Sequence, residues 1–154
     1  MNELEGIPQT KEQDGNPLVL IVDDHPAQRK LFKLLVDNLG ISAHIVSSCE
    51  EAIEAMKTVK YDVVLMDWQM PEIDGLACTG MIRDKERQSA RSTRTPIIAV
   101  TAHVLPGDRE ACLKAGMDDY LGKPFTVREL RSMIDRWSRA ALSNRRGGET
   151  GKAG

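Results

Sequence analysis

Leu18-Val-Leu-Ile-Val22 runs straight into Asp23-Asp24, and Val63-Val-Leu-Met66 runs straight into Asp67. Continuous apolar runs of this length, rich in β-branched residues, describe strands buried on both faces, because a strand with one wet face would alternate polar and apolar side chains. Two further runs share the form. Pro96-Ile-Ile-Ala-Val100 ends at Thr101, and the short Tyr120-Leu121 ends at Lys123-Pro124. Ile41 to Val46 is a fifth, more mixed strand.

Between these runs the apolar spacing becomes helical. Pro26 sits where a first turn tolerates proline, Leu31, Leu34, Leu35 and Leu39 are spaced to line one face, and Gly40 stops the helix. Ser48 with Glu51 forms a capping box ahead of Ala52, Ile53, Met56 and Val59. After a turn from Pro71 to Gly75, Leu76 to about Glu86 reads as a third helix, Pro106 to Ala115, closed by Gly116, as a fourth, and Thr126 to about Arg139 as a fifth with Glu129 as capping partner. Strands alternating with helices imply a parallel sheet with right-handed crossovers. Helices must cover both faces, which makes a three-layer α/β/α sandwich of (βα)5 form.

The 154 residues make one domain. Hydrophobic residues make up 41% and aromatics 4%, so the core rests on Val, Ile, Leu, Ala and Met. Residues 1–17 and 142–154 are polar and Gly-rich and are expected to be flexible tails around a domain spanning 18–141. With 21 basic and 23 acidic residues, a whole-surface basic field for nucleic acid is excluded. The stretch holding Arg83, Lys85, Arg87, Arg91 and Arg94 reads as a solvated helix end and loop. No run approaches the ~20 apolar residues of a membrane span, and no charged-then-apolar leader opens the chain. Cys49, Cys78 and Cys112 are far apart and odd in number, so neither a disulfide framework nor a zinc site is expected, and the expected compartment is a reducing cytoplasm. Cys78 and Cys112 read as small core residues, Met66, Met70, Met81 and Met117 as packing or loop anchors, and Trp137 as packing.

In parallel α/β sheets ligands bind beyond the carboxyl ends of the strands. The residues that end these strands are Asp23, Asp24, Asp67, Thr101 and Lys123. Three carboxylates brought together repel one another and need a cation to stay ionised. Oxygen donors suit a hard ion such as Mg²⁺, which also keeps waters and a substrate phosphate. A lysine and a hydroxyl beside them supply donors for an incoming anion. The set describes phosphoryl transfer, with Asp67, at the end of the central strand, as the candidate nucleophile of an acyl phosphate.

Four segments carry a family resemblance: Ile21-Val-Asp-Asp-His-Pro26, Val64-Leu-Met-Asp-Trp-Gln-Met-Pro-Glu-Ile-Asp-Gly75, Pro96-Ile-Ile-Ala-Val-Thr-Ala102 and Gly116-Met-Asp-Asp-Tyr-Leu-Gly-Lys-Pro-Phe125. From Leu18 to Arg139 the chain resembles the receiver domain of two-component response regulators, and within that family the receivers attached to or partnered with hybrid sensor histidine kinases. The resemblance implies a flavodoxin-like sheet of order 2-1-3-4-5. It implies Asp67 as phosphoacceptor, Asp24 as direct Mg²⁺ (or Mn²⁺) ligand, Asp23 as its acidic neighbour, and the backbone carbonyl of Gln69 as a further ligand. Lys123 would contact the phosphoryl oxygens, with a cis bond to Pro124. Thr101 and Tyr120 would be the switch pair. Trp68, Gln69 and His103 would tune hydrolysis. The implied partners are a histidine kinase and a histidine phosphotransfer protein docking beside the first helix. Neither nucleic acid nor membrane contact is implied, and the chain would be a monomer or weak dimer.

Other classes fit less well. A phosphatase of the haloacid-dehalogenase type needs an acid/base aspartate two residues after its nucleophile, where this chain has Gln69. A flavin-binding flavodoxin needs a phosphate loop after the first strand, where two aspartates stand. A DNA-binding regulator needs a helix-turn-helix domain, for which the about a dozen residues after the last expected helix are too few.

Overall fold

The computed structural model describes residues 17–89, 94–102 and 105–145, the last seven by backbone only. Five strands, β1 (Leu18–Val22), β2 (Ser42–Val46), β3 (Val63–Asp67), β4 (Ile97–Thr101) and β5 (Asp119–Gly122), alternate with five helices. These are α1 (Pro26–Leu39), α2 (Cys49–Thr58), α3 (Gly75–Gln88), α4 (Asp108–Ala115) and α5 (Val127–Arg145). The sheet is parallel throughout in the order β2-β1-β3-β4-β5, the flavodoxin-like arrangement.

The apolar strands serve two cores at once. Leu18, Leu20, Val22, Val64, Met66, Ile97 and Ala99 face one way, into a cluster with Cys49, Ala52, Cys78, Ile82 and Cys112 of α2, α3 and α4. Val19, Ile21, Val63, Leu65, Ile98 and Val100 face the other way, against Phe32 and Val36 of α1 and Leu130 and Ile134 of α5. Burying each such side chain contributes roughly 1.5–3 kcal/mol, so the continuous runs are what make a two-faced sheet stable. Met66, Met70 and Met117 are packed here, whereas Met81 is 39% exposed.

The helix signals act where they were expected, with local differences. Gly40 ends α1 in the left-handed region at φ 71° and donates back to the carbonyls of Val36 and Asp37. Ser48 Oγ accepts from Glu51 N, but Glu51 returns its carboxylate to Ser47 rather than to Ser48. Thr126 and Glu129 form the full reciprocal box. On α1 the buried pair is Phe32 and Val36, while Leu31 and Leu34 are 46% and 64% exposed. Counting leucines alone placed the apolar stripe about one position off the face that touches the sheet. The last helix runs to Arg145, through part of the expected tail, because Ala140-Ala-Leu142 are strong helix formers and no glycine intervenes before Gly147.

Two expectations are overturned. Arg83 is not a solvated helix-end residue: it is 5% exposed, and its guanidinium reaches the Gly116 and Thr95 carbonyls at 2.9 and 2.8 Å and the carboxylates of Glu86 and Asp118 at 2.8 and 2.9 Å. Arg94 reinforces the same Asp118. Arg83 thus ties α3 to the entry of β4 and to the turn between α4 and β5. Second, Cys49 and Cys78 form a disulfide. Their spacing of 29 residues matches no cysteine motif, but α2 and α3 cover the same face of the sheet side by side, which brings the Cα atoms to 5.7 Å. Cys112 is free and buried.

Replacing Arg83 strands buried acceptors and leaves Glu86 without its partner, which typically costs about 3 kcal/mol for a buried charge network. Urea unfolding of Arg83→Ala is expected to show a loss of that size; a loss below about 1 kcal/mol, the surface-pair value, contradicts the anchoring role.

Candidate active site

The ends of β1 and β3 are adjacent, since Val22 is in register with Met66, so Asp23, Asp24 and Asp67 emerge side by side. Asp23 is 1% and Asp67 4% exposed, while Asp24 stands half-buried at the rim. Asp23 is held firmly: its N–H donates to the Val46 carbonyl, its Oδ1 accepts from His25 N at 2.9 Å, and its carbonyl accepts from Arg29 Nη1 at 2.9 Å. That leaves Asp23 Oδ2 and Asp67 Oδ2 buried with no hydrogen-bond donor. Buried acceptors of this kind are expensive unless something positive occupies the space between them.

Positive charge reaches the cluster from the far side of the sheet. Lys123 follows β5, and its Nζ lies 3.9 Å from Asp67 Oδ1. The Lys123-Pro124 bond is cis, as expected. Lys123 N donates to the Thr101 carbonyl at 2.7 Å, which fastens the lysine to the end of β4, where Thr101 is 2% exposed. Tyr120, half-buried, packs on the core that holds Met66 and Ala99. Burial is the main reason the Asp67 carboxyl is pushed up to about 6; Asp23 raises it too, Lys123 and the Gln69 N–H work against them, and Asp24 adds a smaller upward push.

The loop after β3 is packed against its own strand. Gly75 N donates to the Trp68 carbonyl at 2.8 Å, and Asp74 caps α3 through Ala77 N. A Cβ at Gly75 would overlap the Asp67 carbonyl oxygen and stand 3.0 Å from Trp68 Cα, so only glycine fits. The structure therefore brings together Asp23, Asp24, Asp67, Thr101, Lys123 and the Trp68–Gln69 turn. His103 lies outside the described residues. One residue not singled out from the sequence joins them. His25, the residue before α1, is 61% exposed, and its Nδ1 lies 3.2 Å from Asp24 Oδ1, 3.4 Å from Asp23 Oδ1 and 4.0 Å from Asp67 Oδ2. These four residues offer ligand atoms all within 4.8 Å of one another. The signal was its place directly after Asp24, where the chain turns over the strand end.

Residues 19–135 match the response regulator receiver domain family. The chain belongs to that family. It is 40% identical to the sensor histidine kinase GacS of Pseudomonas protegens over 128 residues, which is 83% of this chain but 14% of the kinase. Among solved structures, the receiver domain of the sensor histidine kinase PA1611 of Pseudomonas aeruginosa is 36% identical with a TM-score of 0.69, over 80% of this chain and 98% of that domain. That structure has a magnesium ion coordinated in its active-site cleft. The receiver domain of the Saccharomyces cerevisiae response regulator Ssk1, solved with the histidine phosphotransfer protein Ypd1, is 27% identical with a TM-score of 0.73, over 80% of this chain and 89% of that one. As a receiver, the chain spans about one seventh of the curated kinase it matches.

With cation chelated, the raised carboxyl of Asp67 has a signed consequence. The folded chain holds the proton up to about pH 6, whereas an unfolded aspartate releases it near about 3.9. Asp67 therefore costs no stability below about pH 4 and weakens the fold increasingly as pH rises from about 4 through about 6, by roughly 3 kcal/mol. Under chelator, Asp67→Asn is expected to be more stable than the parent by that order at pH 7.5 and equal to it at pH 4; a variant no more stable at pH 7.5 contradicts the buried-charge reading.

Proposed function

We propose that this receiver accepts a phosphoryl group on Asp67 from a phosphohistidine, and then either switches its partner contacts or passes the group to a histidine phosphotransfer protein. The observation that carries this reading is the meeting of a buried aspartate with a lysine ammonium 3.9 Å away and two further carboxylates at one sheet edge. The partners follow from chemistry and kinship: the matched relatives include a sensor histidine kinase and a receiver solved with a phosphotransfer protein. Leu31 and Leu34, exposed on α1, the helix that starts at the acidic edge, offer an apolar surface for such a partner.

The donor set fits a hard divalent ion. Buried carboxylate oxygens without donors, all-oxygen chemistry and a bound magnesium in the PA1611 receiver support Mg²⁺, with Mn²⁺ admitted by the same donors. Asp23, Asp24, Asp67 and the Gln69 carbonyl would hold it. Bound there, the ion would neutralise charge on the carboxylates and on the phosphoryl oxygens. Everything else falls to the chain. An Asp67 carboxylate oxygen attacks phosphorus, the phosphorus–nitrogen bond of the phosphohistidine breaks, and the neutral imidazole leaves with its electron pair. Lys123 takes the developing charge on one phosphoryl oxygen, and the Thr101 hydroxyl donates to another. Thr101 moving inward opens space for Tyr120 to turn in, which shifts the population of the α4–β5 face. Trp68 and Gln69, directly after Asp67, and His103, two residues after Thr101 in the sequence, would slow water's attack and lengthen the life of the acyl phosphate.

In this reading the chain catalyses only its own phosphorylation and dephosphorylation, and works in the cytoplasm. Among the described residues no helix is long and apolar enough to cross a membrane. A match covering 14% of a sensor kinase also favours a second placement, as the receiver portion of a hybrid kinase.

An intact-mass time course with Mg²⁺ and acetyl phosphate is expected to show one phosphoryl adduct, absent in Asp67→Asn and formed about 100-fold more slowly in Lys123→Ala. His103→Ala is expected to shorten the adduct's lifetime. An adduct that persists in Asp67→Asn overturns the assignment.

A further inference from the structure

The Cys49–Cys78 pair lies outside the phosphoryl site but is bolted to it. Cys49 opens α2, one residue after the Ser48 cap, and Cys78 sits in the first turn of α3, its N–H donating to the Asp74 carbonyl at 2.9 Å. Between them lies the β3–α3 loop, anchored at one end by the Gly75–Trp68 hydrogen bond and carrying the Gln69 carbonyl. A cleft of about 140 Å³ opens beside Cys49, lined by Cys49, Ser48, Met70, Pro71 and Glu72 and reaching Asp24. Cys49 and Cys78 are 3% and 0% exposed, so this cleft is the approach to Cys49, and Cys78 is reached through it.

We propose that Cys49 and Cys78 are a reversible two-electron oxidation site, and that the cystine tightens divalent-cation binding by fastening the β3–α3 loop. The coupling rests on the receiver reading of the acidic edge. In the reducing compartment which that reading implies, a purely structural disulfide does not persist, so a cysteine pair placed at bonding distance there forms and breaks by exchange with an oxidant of the low-molecular-weight disulfide class. Cys49 reacts first, because it lines the cleft while Cys78 does not, and its place at the start of α2, where backbone N–H groups favour the thiolate, assists. Its thiolate attacks one sulfur of the small disulfide and expels a thiolate, leaving a mixed disulfide on Cys49. The Cys78 thiolate then attacks the Cys49 sulfur and expels the second small thiolate. The two protein thiols lose two electrons, the small disulfide gains them, and the two protons released by the cysteines end on the two small thiols. Cys112, buried on α4 and free, has no partner sulfur and stays reduced.

The oxidised chain joins α2 to α3 across the loop that carries the Gln69 carbonyl. Reduction removes that tie, and the loop that follows Asp67 and carries Gln69, whose N–H bonds the Asp67 carboxylate, is held less firmly at the acidic edge. Cation binding and cystine formation therefore favour each other, since a coupling between two sites is reciprocal.

The test uses the full chain equilibrated with oxidised or reduced glutathione. Thiols are counted by alkylation in denaturant, and Mg²⁺ affinity is measured by calorimetry. The oxidised chain should expose one thiol and the reduced chain three, and Mg²⁺ should bind the oxidised form about fivefold more tightly. Cys49→Ser and Cys78→Ser should each bind Mg²⁺ like the reduced parent under both conditions, which separates the bond from loss of either side chain. Three thiols after oxidation overturns the site. One thiol with equal Mg²⁺ affinities overturns the coupling and leaves a staple. Loss of Mg²⁺ binding in every form points instead to failure of the receiver reading, and the coupling falls with it.

Discussion

Three carboxylates share one strand-end edge, and two of them are almost fully buried. Their mutual repulsion, together with the cost of desolvating them, is the constraint around which the rest of the structure is arranged. The sheet order makes it unavoidable, because β1 and β3 are hydrogen-bonded neighbours that both end in aspartate. The fold tolerates it by holding Asp23 with backbone and Arg29 contacts and by bringing Lys123 across from β5. What remains is a concentrated negative site that gains from a cation and from an incoming group whose own charge the cation and lysine share.

In the proposed reading the same elements would carry a charge change away from the edge. Lys123 is hydrogen-bonded to the end of β4, Thr101 is in register with Gly122, and Tyr120 lies opposite Ala99. A group arriving at Asp67 therefore acts on β4 and β5 together. Arg83 braces α3 against the start of both strands, so the end of this face away from the site is held in place. A rigid base under a charged, adjustable edge is what a two-state device requires.

The strands and the residues at their ends were legible because buried parallel strands leave continuous apolar runs, and because the residues that stop those runs are polar for a reason; the order of the strands in the sheet came from the family resemblance. The reciprocal cap at Thr126 and the stop at Gly40 were legible because capping depends on residues three or four apart. Contacts made across the chain were not. Arg83 looks like its basic neighbours until the turn at Gly116 and the carboxylate of Asp118 arrive from more than thirty residues away. Cys49 and Cys78 become partners only when two helices settle on the same sheet face. His25 escaped notice because nothing in its type distinguishes a rim histidine from a solvated one until the three carboxylates surround it. Leu31 and Leu34 show the opposite error, since apolar spacing alone does not say which side of a helix meets the sheet.

The central claim is that the acidic edge is a cation-dependent phosphoryl acceptor with Asp67 as its acceptor atom. The most direct measurement is a crystal structure of the chain soaked with Mg²⁺ and beryllofluoride, a stand-in for a phosphoryl group on a carboxylate. The account predicts beryllofluoride bonded to an Asp67 carboxylate oxygen, with Lys123 and Thr101 donating to its fluorides and the ion among Asp24, Asp67 and the Gln69 carbonyl. Beryllofluoride on another carboxylate, or an ion bound away from this edge, would contradict it.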